Sequence, residues 1–121
     1  MAGERHAVLI VDRDTATREL YQRELHRSYR VLTTPNAEQA LQMLQTTDVA
    51  AVIVEPAGLD DAGWNLISAI RDLRRPGTIR VVLCSALDER KRGLALGVAA
   101  YLVKPVLPAT LLDTLDQVLQ G

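Results

Sequence analysis

Val49-Ala50-Ala51-Val52-Ile53-Val54-Glu55-Pro56 is the stretch of sequence that decides the fold. The apolar run is short, bounded and rich in β-branched side chains, which is typical of a strand buried on both faces of a parallel sheet. Glu55 then lies at the carboxyl end of that strand. Open α/β sheets place their ligand-binding crevice at these ends, so the function of the chain depends on what a glutamate does there.

Outward from this strand, apolar runs at 7–11, 79–84 and 99–103 and a shorter, more polar run at 29–33 predict four further strands. Signals for five helices lie between and after the strands. The first three are Asp14-Thr15, Asn36 followed by apolar residues at helical spacing, and an apolar face that begins after Gly63. The last two are a charged segment at 88–96 and Pro108. We expect Leu20 and Leu25 to face inward from the first helix and Pro76-Gly77 to end the third. Five strands alternating with five helices predict a parallel α/β sheet with right-handed crossovers and helices on both faces.

The bulk composition predicts one intracellular domain over residues 1–121, with its core at about 7–119. Hydrophobic residues make up 48% of the chain and charged residues 24%, as in ordinary globular proteins. A net charge of −1 disfavours binding to nucleic acid or to an anionic membrane. The single Cys84 excludes an internal disulfide. No apolar run reaches the roughly 18 residues of a membrane span, so we expect a cytoplasmic location.

Polar side chains follow the first, third, fourth and fifth strands of the predicted sheet. Asp12 and Arg13 follow the first strand, Glu55 the third, Ser85 the fourth and Lys104 the fifth. These positions converge on one crevice in a doubly wound sheet. Carboxylates, a hydroxyl and a lysine together could hold a divalent metal and a phosphoryl group.

In order and spacing, the motifs of this chain resemble the receiver domain of the bacterial response regulators, which has a flavodoxin-like sheet of strand order 2-1-3-4-5. The matching motifs are Val-Leu-Ile-Val-Asp-Arg-Asp at 8–14, Val-Ile-Val-Glu at 52–55, Leu-Cys-Ser-Ala at 83–86 and Leu-Gly-Val-Ala-Ala-Tyr-Leu-Val-Lys-Pro at 96–105. The resemblance implies that the residue at position 55 accepts a phosphoryl group from a sensor histidine kinase, with Mg²⁺ bound.

The same resemblance assigns roles to five other residues. Asp12 would be the first of two metal-binding acids, and Ser85 would contact the phosphoryl group. Lys104 would be the counter-charge, Tyr101 the aromatic switch, and the bond from Lys104 to Pro105 would be cis.

Three departures from the family pattern change the expected chemistry. Arg13 replaces the second acid, Glu55 replaces the aspartate acceptor, and Gly58-Leu59 replaces Met-Pro. The formal charges of Asp12, Glu55, Arg13 and Lys104 then sum to zero, which removes most of the attraction for a divalent cation. Glu55 also reaches roughly 1.5 Å further than aspartate, and a displacement of about 1 Å can cost about a hundredfold in a positioned reaction.

These departures predict a pseudo-receiver, in which Glu55 pairs with Lys104 or Arg13 and no cofactor is needed. The ion pair of Glu55 would hold the domain in either an active-like or an inactive-like state. We expect a regulatory domain rather than an enzyme, acting on a kinase or an effector domain through the surface of helix four, strand five and helix five. The same surface could form a homodimer.

In the competing hypothesis the crevice can still be phosphorylated, with Glu55 or a nearby Asp as acceptor and with Asp12 and Asp14 holding Mg²⁺. Asp14 has an alternative role as the N-cap of the first helix. Ser85 could be a plain loop hydroxyl, and Tyr101 a plain edge-strand aromatic.

Nucleotide binding is disfavoured because no glycine-rich loop follows the first strand. We expect Trp64 to be half-buried near the mouth of the crevice, where it would be a useful reporter.

Overall fold

The computed structural model describes residues 5–73 and 78–120. Strands and helices alternate along the chain, with a short 3-10 turn, Ala57–Leu59, after the third strand. The elements are β1 Ala7–Val11, α1 Thr15–Leu25, β2 Arg30–Thr34, α2 Ala37–Thr46, β3 Ala51–Val54, α3 Asp61–Arg71, β4 Arg80–Ser85, α4 Arg90–Ala95, β5 Ala100–Val103 and α5 Pro108–Gln120.

The five strands form one parallel sheet in the order β2-β1-β3-β4-β5. β3 lies at its centre, where Val52 is in register with Leu9 of β1 and Val81 of β4. All residues of β1 and β3 are buried. The predicted flavodoxin-like fold and strand order are therefore confirmed.

Side chains of the central strand alternate between two core layers, as the period of two in a strand requires. Val52 and Val54 pack on the layer that includes α2 and α3. Ala51 and Ile53 pack on the layer that includes α1 and α5. A strand with both faces covered needs an unbroken apolar sequence, which explains the composition of the 49–54 run.

Several predicted boundaries shift by one or two residues in the structure. β2 covers Arg30–Thr34 rather than 29–33, β3 begins at Ala51, and α4 covers only Arg90–Ala95 of the predicted 88–96. The prediction that Leu20 faces inward is wrong, since this side chain is 42% exposed. The predicted end of α3 at Pro76-Gly77 lies outside the described residues. No helix in the described part of the chain has the length and apolar character needed to span a bilayer.

The loop after β3 turns sharply against the start of α3. A Cβ at Gly63 would lie 2.8 Å from the Cα of Pro56 and 2.9 Å from its carbonyl oxygen. Both are backbone atoms next to Glu55, so no flexible side chain can move aside. Gly63 therefore sets how closely α3 approaches the end of the central strand.

We expect Gly63→Ala to lower the free energy of unfolding by about 2 kcal/mol, because overpacking against rigid backbone typically costs that much. Urea denaturation measures the change. Gly58→Ala is the matched control, since its Cβ would meet only the Arg13 side chain, at 3.4 Å. Equal stability of the two variants would contradict the assigned steric role of Gly63.

Candidate functional site

Three charged side chains meet at the carboxyl edge of the sheet. The ammonium nitrogen of Lys104 is 2.9 Å from Asp12 Oδ2 and 3.2 Å from Glu55 Oε1. Asp12 is 3% exposed and Glu55 7%, while the Lys104 side chain is 21% exposed. One lysine from the end of β5 thus bridges carboxylates at the ends of β1 and β3. Of the two partners predicted for Glu55, the structure pairs it with Lys104.

The backbone holds the two acidic residues in place through neighbouring strands. Asp12 N–H donates to the carbonyl of Thr34 at 3.2 Å, and Glu55 N–H donates to the carbonyl of Val11 at 3.0 Å. The Arg18 guanidinium donates to the carbonyl of Asp12 at 2.7 Å. The backbones of both acidic residues are therefore fixed by pairing with neighbouring strands.

Backbone groups as well as Lys104 surround the Glu55 carboxylate. Ala86 N–H, just after β4, donates to Oε1 at 3.1 Å, and Ala57 N–H donates to Oε2 at 3.3 Å. Both oxygens of Glu55 are thus engaged by the protein. Charge-assisted hydrogen bonds of this kind are stronger than those between neutral groups, and they offset the burial of the carboxylate.

The environment of Lys104 favours its charged form. Burial acts to lower the pKa of Lys104, but the hydrogen bond and charge of Asp12, followed by those of Glu55, outweigh burial and raise this pKa above the ordinary 10.5. A pKa that is raised on folding means that the contribution of Lys104 to stability is complete below the unfolded value. It is lost only as pH rises through the folded value. The lysine bridge is therefore charged throughout the neutral range.

Arg13 and Asp14 lie beside this cluster without joining it as metal ligands. Arg13 is exposed, and its side chain lies along Gly58 of the 3-10 turn. Asp14 is the N-cap of α1, and its Oδ2 accepts from both the N–H and the hydroxyl of Thr17. These bonds hold the pKa of Asp14 below its ordinary value. The capping role proposed for Asp14 is thus the arrangement found.

Ser85 and Tyr101 connect the crevice with the start of α4. Ser85 is fully buried, and its Oγ accepts from Leu87 N–H at 3.2 Å. The Tyr101 hydroxyl donates to the Leu87 carbonyl at 2.6 Å and accepts from Glu89 N–H at 2.9 Å. Tyr101 is half-buried. The bond from Lys104 to Pro105 is cis, as the resemblance predicted.

The crevice forms a cavity of about 570 Å³, lined by Asp12, Arg13, Asp14, Glu55, Ala57, Gly58, Ala86 and Lys104. Its side chains do not fit a magnesium ion. Asp12 Oδ2 and Glu55 Oε1 face Lys104, and Asp12 Oδ1 accepts from Asp14 N–H at 2.9 Å. Within 5–73 and 78–120, no group of three His, Cys, Asp or Glu residues is placed to hold a metal. A cation here would compete with Lys104, which already pairs with both buried carboxylates, and the next acid, Asp14, already caps α1.

Two features of the region were missed from the sequence. The N–H groups of Ala57 and Ala86 carry no side-chain signal, because any residue except proline could supply them. The guanidinium of Arg92 in α4 lies 4.1 Å from the ring centroid of Trp64. Trp64 is only 7% exposed, so the prediction of a half-buried ring at the crevice mouth is wrong. The ring instead lies between the α3 core layer and α4.

Comparisons with known proteins agree with this architecture. The family model of the response regulator receiver domain matches residues 8–116. The hydrogenase transcriptional regulatory protein HoxA of Cupriavidus necator is 26% identical over 124 residues, which cover 100% of this chain and 26% of that protein. This chain therefore spans about a quarter of HoxA.

Two other similar proteins are closer to this chain in length. A 14.6 kDa protein from the sodA1 3′ region of Leptolyngbya boryana is 30% identical, over 91% of this chain and 87% of that protein. The chemotaxis response regulator CheY4 of Vibrio cholerae superposes with a TM-score of 0.87 at 25% identity. The match covers 95% of this chain and 99% of CheY4.

We expect Lys104→Met to lower the free energy of unfolding by about 3 kcal/mol at pH 7, because it leaves the two carboxylates buried without their cation. Urea denaturation at pH 7 measures the change. Lys91→Met, at an exposed lysine of α4, is the matched control and should change stability little. A Lys104 variant as stable as this control at pH 7 would contradict the bridging role.

Proposed function

This chain belongs to the response regulator receiver domain family, and we propose that it signals through protein contacts without phosphorylation by the usual aspartyl route. Glu55 stands where the family has its phosphoacceptor aspartate. The observation that carries the proposal is the engagement of both Glu55 carboxylate oxygens by Lys104, Ala57 N–H and Ala86 N–H. A carboxylate whose two oxygens both accept hydrogen bonds is a weaker nucleophile than a free carboxylate, because these bonds draw charge from both oxygens.

The balance of charges in the crevice also supports the proposal, because it disfavours Mg²⁺ binding. Glu55 and Asp12 share Lys104, and Arg13 stands where the family has its second metal-binding acid. Hard cations need several oxygen ligands, which an arginine cannot supply. Mg²⁺ would therefore bind weakly, and only the competing hypothesis of a phosphorylation-competent crevice requires it.

Hydrogen bonds provide a route from Glu55 to the partner-binding surface. Glu55 holds Ala86 N–H, and the adjacent Leu87 is bound through its N–H by Ser85 and through its carbonyl by Tyr101. Tyr101 also holds Glu89 N–H at the start of α4. In this proposal Glu55 takes the position of a bound phosphoryl group and fixes one state of α4, β5 and α5. With a single negative charge it would mimic that group only in part.

The proposed partners are proteins. The fixed surface of α4, β5 and α5 would contact a kinase or an effector domain, or a second copy of this chain in a homodimer. HoxA is a transcriptional regulatory protein of which the chain covers a quarter. Control of transcription by this chain would thus act through such an effector rather than through DNA contacts of its own. The role is regulatory rather than enzymatic and belongs in the cytoplasm.

The direct test is a titration with Mg²⁺ and beryllofluoride, a phosphoryl analogue, followed by calorimetry and by Trp64 fluorescence. Trp64 reports on α4 because Arg92 covers its ring. We expect no response from the wild type and saturable binding by Glu55→Asp/Arg13→Asp, which restores two family residues. Glu55→Asp/Arg27→Asp makes the same charge change with the arginine replaced at an exposed site outside the crevice lining. It should stay silent. Saturation of the wild type would support the phosphorylation-competent alternative instead.

We also expect Glu55→Ala to loosen the segment that Glu55 holds. Loss of the acceptor for Ala86 N–H should speed amide hydrogen exchange across 86–95 by about three- to tenfold, which corresponds to one net hydrogen bond. Hydrogen–deuterium exchange with mass spectrometry measures this, with Glu19→Ala on the exposed side of α1 as control. Unchanged exchange at 86–95 in Glu55→Ala would rule out the route from the crevice to α4.

A further inference from the structure

A second cavity lies at the amino edge of the sheet, opposite the crevice. It is enclosed by the last turn of α3, the start of β4 and the turn between α4 and β5, and its volume is about 500 Å³. Pockets for small molecules commonly have volumes of about 300–1,000 Å³. The size is therefore suitable for a small ligand.

The floor and walls of this cavity are apolar. The floor consists of the buried side chains of Ile67, Ile70, Val81 and Val98. Partly buried side chains complete the walls: Leu73, Ile79 and Leu96. Aliphatic side chains of this kind favour a ligand with an apolar body.

The rim differs from the floor in charge and exposure. Arg71, Thr78 and Gly97 lie at the mouth and are exposed, and Arg71 is the one charged residue in the described lining. The Arg71 Nε is 4.0 Å from Asp72 Oδ1, with side chains 56% and 76% exposed. An ion pair this long and exposed holds its arginine weakly. The guanidinium is therefore available to an anion at the mouth of an apolar cavity.

We propose that this cavity binds a small apolar molecule with a single anionic group, such as a carboxylate or sulfonate. The apolar body would cover Ile67, Ile70, Val81 and Val98, and the anion would pair with Arg71. The proposal rests on the described part of the lining and does not depend on the state of Glu55 in the crevice. It goes beyond the proposed function, and either can fail without the other.

The wall of the cavity is continuous with α4. Leu96 N–H donates to the carbonyl of Gly93 at 3.1 Å, Gly97 N–H to that of Leu94 at 3.0 Å, and Val98 N–H to that of Gly93 at 3.4 Å. Gly97 has a φ of +82°, a conformation that closes the helix and that side chains rarely adopt. A ligand pressing on Leu96 and Val98 would therefore act on the last turn of α4.

The test uses two probes of nearly the same shape, 8-anilinonaphthalene-1-sulfonate and the uncharged N-phenyl-1-naphthylamine. We expect saturable binding of the sulfonate to the full chain, with amide NMR shifts centred on Ile67, Thr78, Gly97 and Val98 and extending to Gly93. Arg71→Gln should weaken the sulfonate about threefold, as expected for an exposed charge pair, and leave the neutral probe unchanged. Arg27→Gln, an exposed arginine outside the cavity lining, should affect neither probe.

A second variant tests the position of the site without altering the core. Thr78→Phe places a ring at the exposed rim and should weaken both probes by the same factor. Shifts centred on the crevice or on α1 and α5 would overturn the proposal. So would the absence of saturable sulfonate binding, or an equal effect of Arg71→Gln on the two probes.

Discussion

The ion pairs of Lys104 with Asp12 and Glu55 are the interaction on which the carboxyl edge of this sheet depends. Two nearly buried carboxylates are costly to desolvate, and they are tolerated only when cations and hydrogen-bond donors compensate them. A single lysine does most of this by spanning the ends of β1, β3 and β5. The apolar run 49–54 explains why β3 lies at the centre of the sheet, and the bridge explains how that strand can end in a buried acid.

The consequences of the bridge reach the segment between β4 and α4 through hydrogen bonds of the backbone. Glu55 binds Ala86 N–H, and Tyr101 binds both the Leu87 carbonyl and Glu89 N–H. α4 itself has only six residues, too few for a helix to be stable alone. Its position is therefore set by its contacts: Tyr101 at its start, the ring of Trp64 under Arg92, and the close approach of Gly93 to Leu83 and Tyr101.

Runs of strand-forming residues located every strand within two residues, and the strand order was implied by the resemblance to the receiver family. The residues after the first, third, fourth and fifth strands then had to lie on one edge of a parallel sheet. Asp14 as a cap followed from a short-range rule, whereas the partner of Glu55 was left open between Lys104 and Arg13, and the structure pairs it with Lys104. The hydrogen bonds donated by Ala57 N–H and Ala86 N–H could not be predicted, because nearly all residues carry a backbone N–H group. The environments of Leu20 and Trp64 were misjudged because burial in a helix depends on which neighbours pack against it, and periodicity does not specify those neighbours.

The distribution of rigidity in the structure makes α4 the natural place for regulation. The central strands β1, β3 and β4 are covered on both faces, so a small change at either edge of the sheet cannot deform them at low cost. α4 is different, since one end is tied to the crevice through Tyr101 and the other to the amino-edge cavity through Leu96, Gly97 and Val98. A side chain that replaces a phosphoryl group at one end would remove a switchable input there. A ligand or protein that still moved α4 would then have to bind at the other end of the helix or on its exposed face. That face carries Leu94, which is 59% exposed.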